Sequence, residues 1–171
     1  MKTIKIIIGF ITILTLIFFL TGAFVKETNY VTSIEINKPL EIVFNDFNDV
    51  TNKKKWIPEI KSIDTIHSNY VKTGSIFKII LENQEKEIIT TEKVVAYVPN
   101  EKVTLFYDAE NILKTNDYIF SEENGITKIT LNATCSSESY IMCCLFPYFK
   151  NTFKKQDYQY LNNFKVFIEE K

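Results

Sequence analysis

Arginine is missing from this 171-residue chain: all 20 basic residues are lysine. The planar fork that grips phosphates and carboxylates at two points is therefore unavailable. Histidine occurs once, at His67. Neither a His-rich metal centre nor a histidine relay has its raw material. The three cysteines, Cys135, Cys143 and Cys144, are too few for a disulfide scaffold, and an odd number leaves at least one thiol unpaired. A bridge between the adjacent Cys143 and Cys144 is strained. A link from Cys135 to either stays open, and three small buried apolar residues is the plainer reading. No set of metal ligands stands at sensible spacing, and no cofactor motif is present. With only 4 Gly and 4 Pro, collagen-like and low-complexity chains are excluded. A net charge of −1 signals no basic surface, so nucleic acid is not an expected partner. What is abundant is apolar: 46% hydrophobic against 24% charged, the balance of a chain that folds.

The longest apolar run is at the N-terminus. Ile6 to Val25 (IIIGFITILTLIFFLTGAFV) carries no charge. As a helix it is roughly 30 Å long, the thickness of a bilayer core. Two readings follow, an uncleaved anchor or a cleaved secretory signal with small residues at Thr21-Gly22-Ala23. The run exceeds the roughly 7–15 residues of a signal core, which favours the anchor. Lys2 and Lys5 precede it, while Lys26 is offset by Glu27. The positive-inside tendency then puts the N-terminus in the cytoplasm and the rest outside. The division expected is an anchor over 1–25, a linker over 26–30 and one domain over 31–171. The 146 residues after the run hold 18 Lys and 21 acids, a net of −3. A chain of that size can bury close to ~70% of its unfolded surface.

Strand and helix periods alternate along this part. Tyr30–Asn37 alternates as a half-buried strand does. Pro39 suits the first turn of a helix, with Asn37 or Lys38 near the cap, and Leu40, Val43, Phe44 and Phe47 follow at helical spacing. Trp56-Ile57-Pro58 closes that region. Strands are expected over Ile60–Ser68, Ser75–Leu81, Glu85–Val98 (joined through Asn83-Gln84), Val103–Ala109, Ile112–Ser121 and Ile126–Cys135. Asn124-Gly125 between the last two is a hairpin signal. The end is helical: Phe149, Phe153, Tyr160, Phe164 and Phe167 put five aromatic rings on one stripe. Short turns between successive strands imply antiparallel pairing. The fold class is α+β: a curved antiparallel sheet of about seven strands, short helices after strand 1, and one long terminal helix over Lys150–Ile168 packed in the concave face.

Particular words in the chain carry a resemblance. They are Ile34-Glu35-Ile36-Asn37-Lys38-Pro39-Leu40-Glu41-Ile42-Val43-Phe44, then Asp49 followed by Trp56-Ile57-Pro58. Gly74 with Phe77, Val94 to Pro99 (VVAYVP) and Gly125 to Leu131 complete them. In this order they resemble the START-like (SRPBCC) superfamily, which includes polyketide cyclase-like, lipid-transfer and Bet v 1-type proteins of helix-grip fold. The likeness runs from Tyr30 to Lys171. It implies a hydrophobic pocket between sheet and terminal helix, with a lipid or other hydrophobic small molecule as partner. No catalytic motif of the family matches here, so none is carried over, and fold alone does not name a function.

Candidate pocket residues are Phe149, Phe153 and Tyr160 on the helix and Tyr107 and Tyr118 on the sheet, each weighed against a plain core role. The tyrosines are the better ligand contacts, because a buried hydroxyl needs a partner. Trp56 is read as a lid over the pocket mouth or as a structural plug. Lys53-Lys54-Lys55 reads as a solvated patch, or as a contact for anionic lipid heads. An enzyme of cyclase or hydratase type would need a pocket acid or base, for which His67, Asp108 and Asp117 are the candidates. Asn132-Ala133-Thr134 fits the glycosylation pattern, which matters only in a eukaryotic secretory route. The sequence therefore points to a membrane-tethered binder of a hydrophobic small molecule. The alternatives are such an enzyme or a solid-core interaction domain of the cell envelope.

Overall fold

The computed structural model describes residues 2–83 and 86–171. Helix α1 spans Lys2–Phe24. Strand β1 (Thr28–Ile36) follows directly, and its alternate residues Thr28, Tyr30, Thr32, Ile34 and Ile36 are buried. Because β1 begins at Thr28, only Val25–Glu27 separate it from α1, a shorter joint than the 26–30 segment read from the sequence. Helix α2 (Leu40–Phe47) buries Val43, Phe44 and Phe47. Pro39 stands at its cap position and has no capping side chain. Glu122, 82 residues away in sequence, accepts from the first free amide at Leu40 N (2.7 Å) and supplies the missing partner. A 3₁₀ turn at Val50–Asn52 is capped by Asp49 and leads into the single-turn helix α3 (Lys53–Trp56).

Six strands then run as a meander: β2 (Ile60–His67), β3 (Ile76–Asn83), β4 (Lys86–Val98), β5 (Lys102–Ala109), β6 (Ile112–Glu123) and β7 (Ile126–Ser136). Of the turn expected at Asn83-Gln84, Asn83 ends β3, while Gln84 and the strand start expected at Glu85 lie outside the described residues. Every pairing is antiparallel, and the order is β1-β7-β6-β5-β4-β3-β2. Asn124 and Gly125 both have positive φ (54° and 78°), as the two-residue hairpin turn between β6 and β7 requires.

The terminal helix α4 runs from Tyr140 to Glu169, ten residues longer at its start than expected. Pro147 hides that extension in the sequence, because an internal proline lacks the amide that would bond back to Cys143. The helix crosses β1 and β7, and α3 packs on its later turns. Between helix and sheet sits an aromatic core. Phe47 meets Trp56, Tyr118, Phe120 and Phe164 with ring centroids 4.8–5.3 Å apart. Most of these contacts are edge-on, the arrangement ring quadrupoles favour.

Candidate ligand-binding site

The pleat and the register decide which side chains meet under α4. Along β6 the period of two turns Lys114, Asn116, Tyr118 and Phe120 to the helix side. Pairing then sets Glu92 of β4 opposite Tyr107 of β5, and Tyr107 opposite Lys114 of β6. A polar row thus crosses three neighbouring strands inside a face that is otherwise apolar.

Two ion pairs anchor this row. Lys53 of α3 reaches down to Glu92, both of its bonds landing on the carboxylate, and both side chains are almost wholly buried. Asp157 of α4 takes the Lys114 ammonium at 2.6 Å and the Tyr30 hydroxyl at 2.7 Å. Each buried charge therefore has an opposite partner, the condition for tolerating it in a low-dielectric interior. Around the pairs lie polar atoms with no partner. Asn116, 3% exposed, donates from Nδ2 to the Tyr118 hydroxyl (2.9 Å), yet its Oδ1 is buried and unpaired. Thr90 Oγ1, Glu59 Oε2 and Trp56 Nε1 are in the same condition. Such orphans are uncommon, since each costs about 1–3 kcal/mol of lost solvation.

The phenols around this row are poor acids. Burial, and then the Asp157 charge, pushes Tyr30 and Tyr118 far above the usual range. Burial, and then Glu92, does the same for Tyr107. Tyr160 is pushed up to about 12 by burial and then by Glu59. Burial also raises the Cys135 thiol. At neutral pH these are neutral hydroxyls and a neutral thiol, suited to hydrogen bonding rather than to nucleophilic attack.

An open groove of about 310 Å³ lies at the surface beside α4. Pro58 and Glu59 of the α3–β2 connection form one wall, and Thr152, Gln156, Tyr160 and Asn163 of α4 form the other. Gln156 donates to the Tyr160 hydroxyl (2.8 Å), and Asn163 donates to the Trp56 carbonyl (3.1 Å). A second depression of about 260 Å³ lies outside, between Ser33 and Glu35 of β1 and Tyr158 and Lys165 of α4.

Of the expected pocket residues, Tyr107, Phe153 and Tyr160 are partly buried against the core, and Tyr118 is fully within it. Phe149 is different. It is 48% exposed, because it stands off the helix face on which Phe146 and Phe153 meet the core. Trp56 is a plug: it is 3% exposed, stacked on Phe47 and edge-on to Phe164. Lys53 departs from the solvated patch expected for Lys53-Lys54-Lys55. The one turn of α3 rotates it inward while Lys54 and Lys55 stay exposed. His67 and Asp108 are exposed. Asp117 falls on the outer phase of β6, where Thr104 (2.5 Å) and Lys102 (3.0 Å) bind it. None of the three candidate acids and bases joins the polar row. All three cysteines are free thiols, with Cys135 and Cys144 buried.

The sequence reading missed Lys53, Glu92, Lys114, Asn116 and Asp157. Two signals were there. Glu92 is in phase with Thr90 and Val94, and Asp157 stands on the helical stripe between Phe153 and Tyr160. A charge on an apolar phase marks a buried partner.

Comparison with solved structures places this architecture. A START superfamily protein from Mycobacterium smegmatis superposes with a TM-score of 0.69 at 11% identity, covering 83% of this chain and 97% of that one. Ara h 8.0201 gives 0.67 at 13% identity, covering 85% and 99%. The chain has a START-like fold. The di-domain ARO/CYC StfQ of the steffimycin biosynthetic pathway gives 0.68 at 11% identity, with 84% of this chain covering 52% of that one. No family model matches the chain, and no curated protein does. The START-like frame accounts for the placement of α4 across the sheet.

Proposed function

We propose that this protein is a membrane-tethered binder of a small molecule with a hydrophobic body and a neutral, hydrogen-bond-donating head. The molecule enters by the groove between the α3–β2 connection and α4. It lodges between sheet and helix, its head toward the polar row. The observation that carries this reading is the pair of buried, unpaired acceptors, Asn116 Oδ1 on the sheet and Glu59 Oε2 at the groove, with the unpaired Thr90 hydroxyl, which can donate or accept, also on the sheet. Acceptors without partners favour a ligand bearing hydroxyl or amide protons. The charges of the polar row cancel in pairs, Lys53 with Glu92 and Lys114 with Asp157, so at that row a neutral head fits better than an ion. Aromatic rings beside the row supply apolar area, worth on the order of 25 cal/mol per Å² before ordering costs. Glu92 and Asp157 are each engaged by a lysine, which favours binding over acid–base chemistry as their role.

The tether is α1, 23 residues long with a mean hydropathy of 2.5 over its most apolar window, and almost entirely exposed. On this reading residues 1–25 cross the bilayer with the N-terminus cytoplasmic, and the domain from β1 onward lies on the far side.

The test is binding of a fluorescent long-chain alcohol by the full chain in nanodiscs, together with mass spectrometry of lipids co-purified from the expression host. Saturable 1:1 binding is expected, weakened roughly tenfold in Asn116→Leu, which removes the acceptor while keeping volume. Absence of both saturable binding and a co-purified small molecule would overturn the proposal.

A further inference from the structure

The first three turns of α4 play no part in the polar row, yet they are the most apolar segment after α1. Tyr140–Phe149 (YIMCCLFPYF) is ten residues without a charge, about 15 Å of helix. Its side chains divide into three stripes. Phe146 faces the core, with Met142 beside it. Tyr140, Cys144 and Tyr148 face α1. Tyr140 donates to the Phe19 carbonyl, Tyr148 bonds Thr21 (3.1 Å), and Gly22 lies so close that a Cβ there would stand 2.4 Å from the Cys144 sulfur. The third stripe, Ile141, Leu145 and Phe149, is the least covered among the described residues; Ile141 is 58% exposed, Phe149 48%, and Leu145 between them is half-buried.

How α1 meets α4 decides what covers that stripe. Phe18 and Phe19 are neighbours on α1, yet they stack on Tyr148 and Tyr140 (ring centroids 6.4 and 6.3 Å). Those tyrosines are eight positions apart, about 12 Å along α4. The two helices therefore cross steeply. If α1 spans a bilayer, the start of α4 runs along the membrane surface. The contact also sets a depth. Phe18–Gly22 lie three to seven residues before Val25, where the apolar run ends, or about 5–10 Å inside it. That matches the ~5–10 Å to which the apolar face of an interfacial helix sinks below the headgroups. Exposed apolar residues stand on α1 and on this stripe alike, and Tyr140 and Tyr148 adjoin the stripe, as tyrosines do at membrane–water boundaries.

We infer that Tyr140–Phe149 is an interfacial helix that seats the domain on the bilayer, with Ile141, Leu145 and Phe149 immersed in acyl chains. Three-point seating of this kind fixes the orientation of the groove relative to the membrane, which a single flexible tether would not. The inference rests on α1 being a membrane helix, and the test separates the two.

The full chain is reconstituted into phosphatidylcholine–phosphatidylglycerol vesicles, with or without phospholipid brominated along its acyl chains. Tryptophan is introduced singly in Phe149→Trp, Ile141→Trp, Phe10→Trp and Tyr158→Trp. The first two positions are exposed, so folding is preserved, and the native Trp56, buried in the core, supplies a common background. Bromolipid is expected to quench the added emission of Phe149→Trp, Ile141→Trp and Phe10→Trp, while leaving Tyr158→Trp and the unaltered chain unchanged. Quenching in Phe10→Trp with none in Phe149→Trp or Ile141→Trp would overturn the seating and leave the anchor standing. No quenching in Phe10→Trp would overturn the anchor and the seating together. Tryptophan at 149 that is shielded from acrylamide, untouched by bromolipid and accompanied by a dimeric protein would show that a second copy covers the stripe, which also overturns the inference.

Discussion

Lys53 and Glu92 show how much a single residue's surroundings decide. The pair is buried to within a few per cent. Removing one partner leaves a charge in a dry interior, which costs about 3–5 kcal/mol, whereas replacing both with apolar residues is often neutral or stabilising. Lys53→Met is therefore expected to lose stability on that scale in urea unfolding, and Lys53→Met with Glu92→Leu to recover most of it. The buried phenols make a second residue-scale prediction. Tyr30, Tyr107, Tyr118 and Tyr160 all have acidities weaker in the fold than in the open chain. Below the ordinary tyrosine value both the folded and the unfolded chain keep these protons, so the stability that goes with the neutral phenols is fully present. As pH rises through about 10, the unfolded chain sheds protons that the folded one keeps, and stability falls. Urea midpoints should drop between pH 9 and pH 11, and the drop should be smaller in Tyr160→Phe, whose folded value is about 12.

At the scale of elements, α4 is two helices in one. Its later turns carry Leu161, Phe164 and Ile168 into the core. Its first turns hold α1 on one side and leave an apolar stripe on another. Phe164→Ala is thus expected to cost about 3–5 kcal/mol, as large core truncations do. Phe149→Ala should change the stability of the detergent-solubilised protein by less than about 1 kcal/mol. Equal effects at the two positions would contradict this division of the helix. The α1–α4 crossing depends on a small residue, as close helix crossings do. Gly22→Leu drives a side chain into Cys144 and should separate the helices. A cysteine crosslink engineered between positions 21 and 148, efficient in the parent background, should fail in that variant.

For the whole molecule, the sheet and α4 enclose a core to which α1 adds only Gly22. The domain should therefore keep its strands and its cooperative unfolding when residues 1–27 are removed. It should also leave the membrane fraction on alkaline extraction, where the full chain stays. Removal exposes the Tyr140, Cys144 and Tyr148 stripe, so some self-association of the shortened protein is expected. Circular dichroism and sedimentation together check both outcomes. A shortened chain that fails to fold would show that the α1 contact is part of the core.

Much of this architecture was legible in order along the chain. Alternation along β1 and β7, the Asn124-Gly125 hairpin, the helix after Pro39 and the apolar run at the N-terminus are local patterns, set by backbone sterics and by side-chain periods of 2 and 3.6. Periodicity says which side of its own element a residue occupies. It does not say what will cover that side. Phe149 and Phe153 share a stripe in the sequence, yet one is exposed and the other packs on the core, because the core face of α4 runs through Phe146 and Phe153 and leaves Phe149 to one side. Lys53 looked like part of a solvated lysine run until α3 turned it onto Glu92. Asp157 had no visible partner until β1 and β6 brought Tyr30 and Lys114 beneath it. The sequence determined the elements and their order. The tertiary structure alone decided the polar row, its ion pairs and its orphan acceptors, because those depend on register and on residues far apart in the chain meeting in a space that only the closed fold creates.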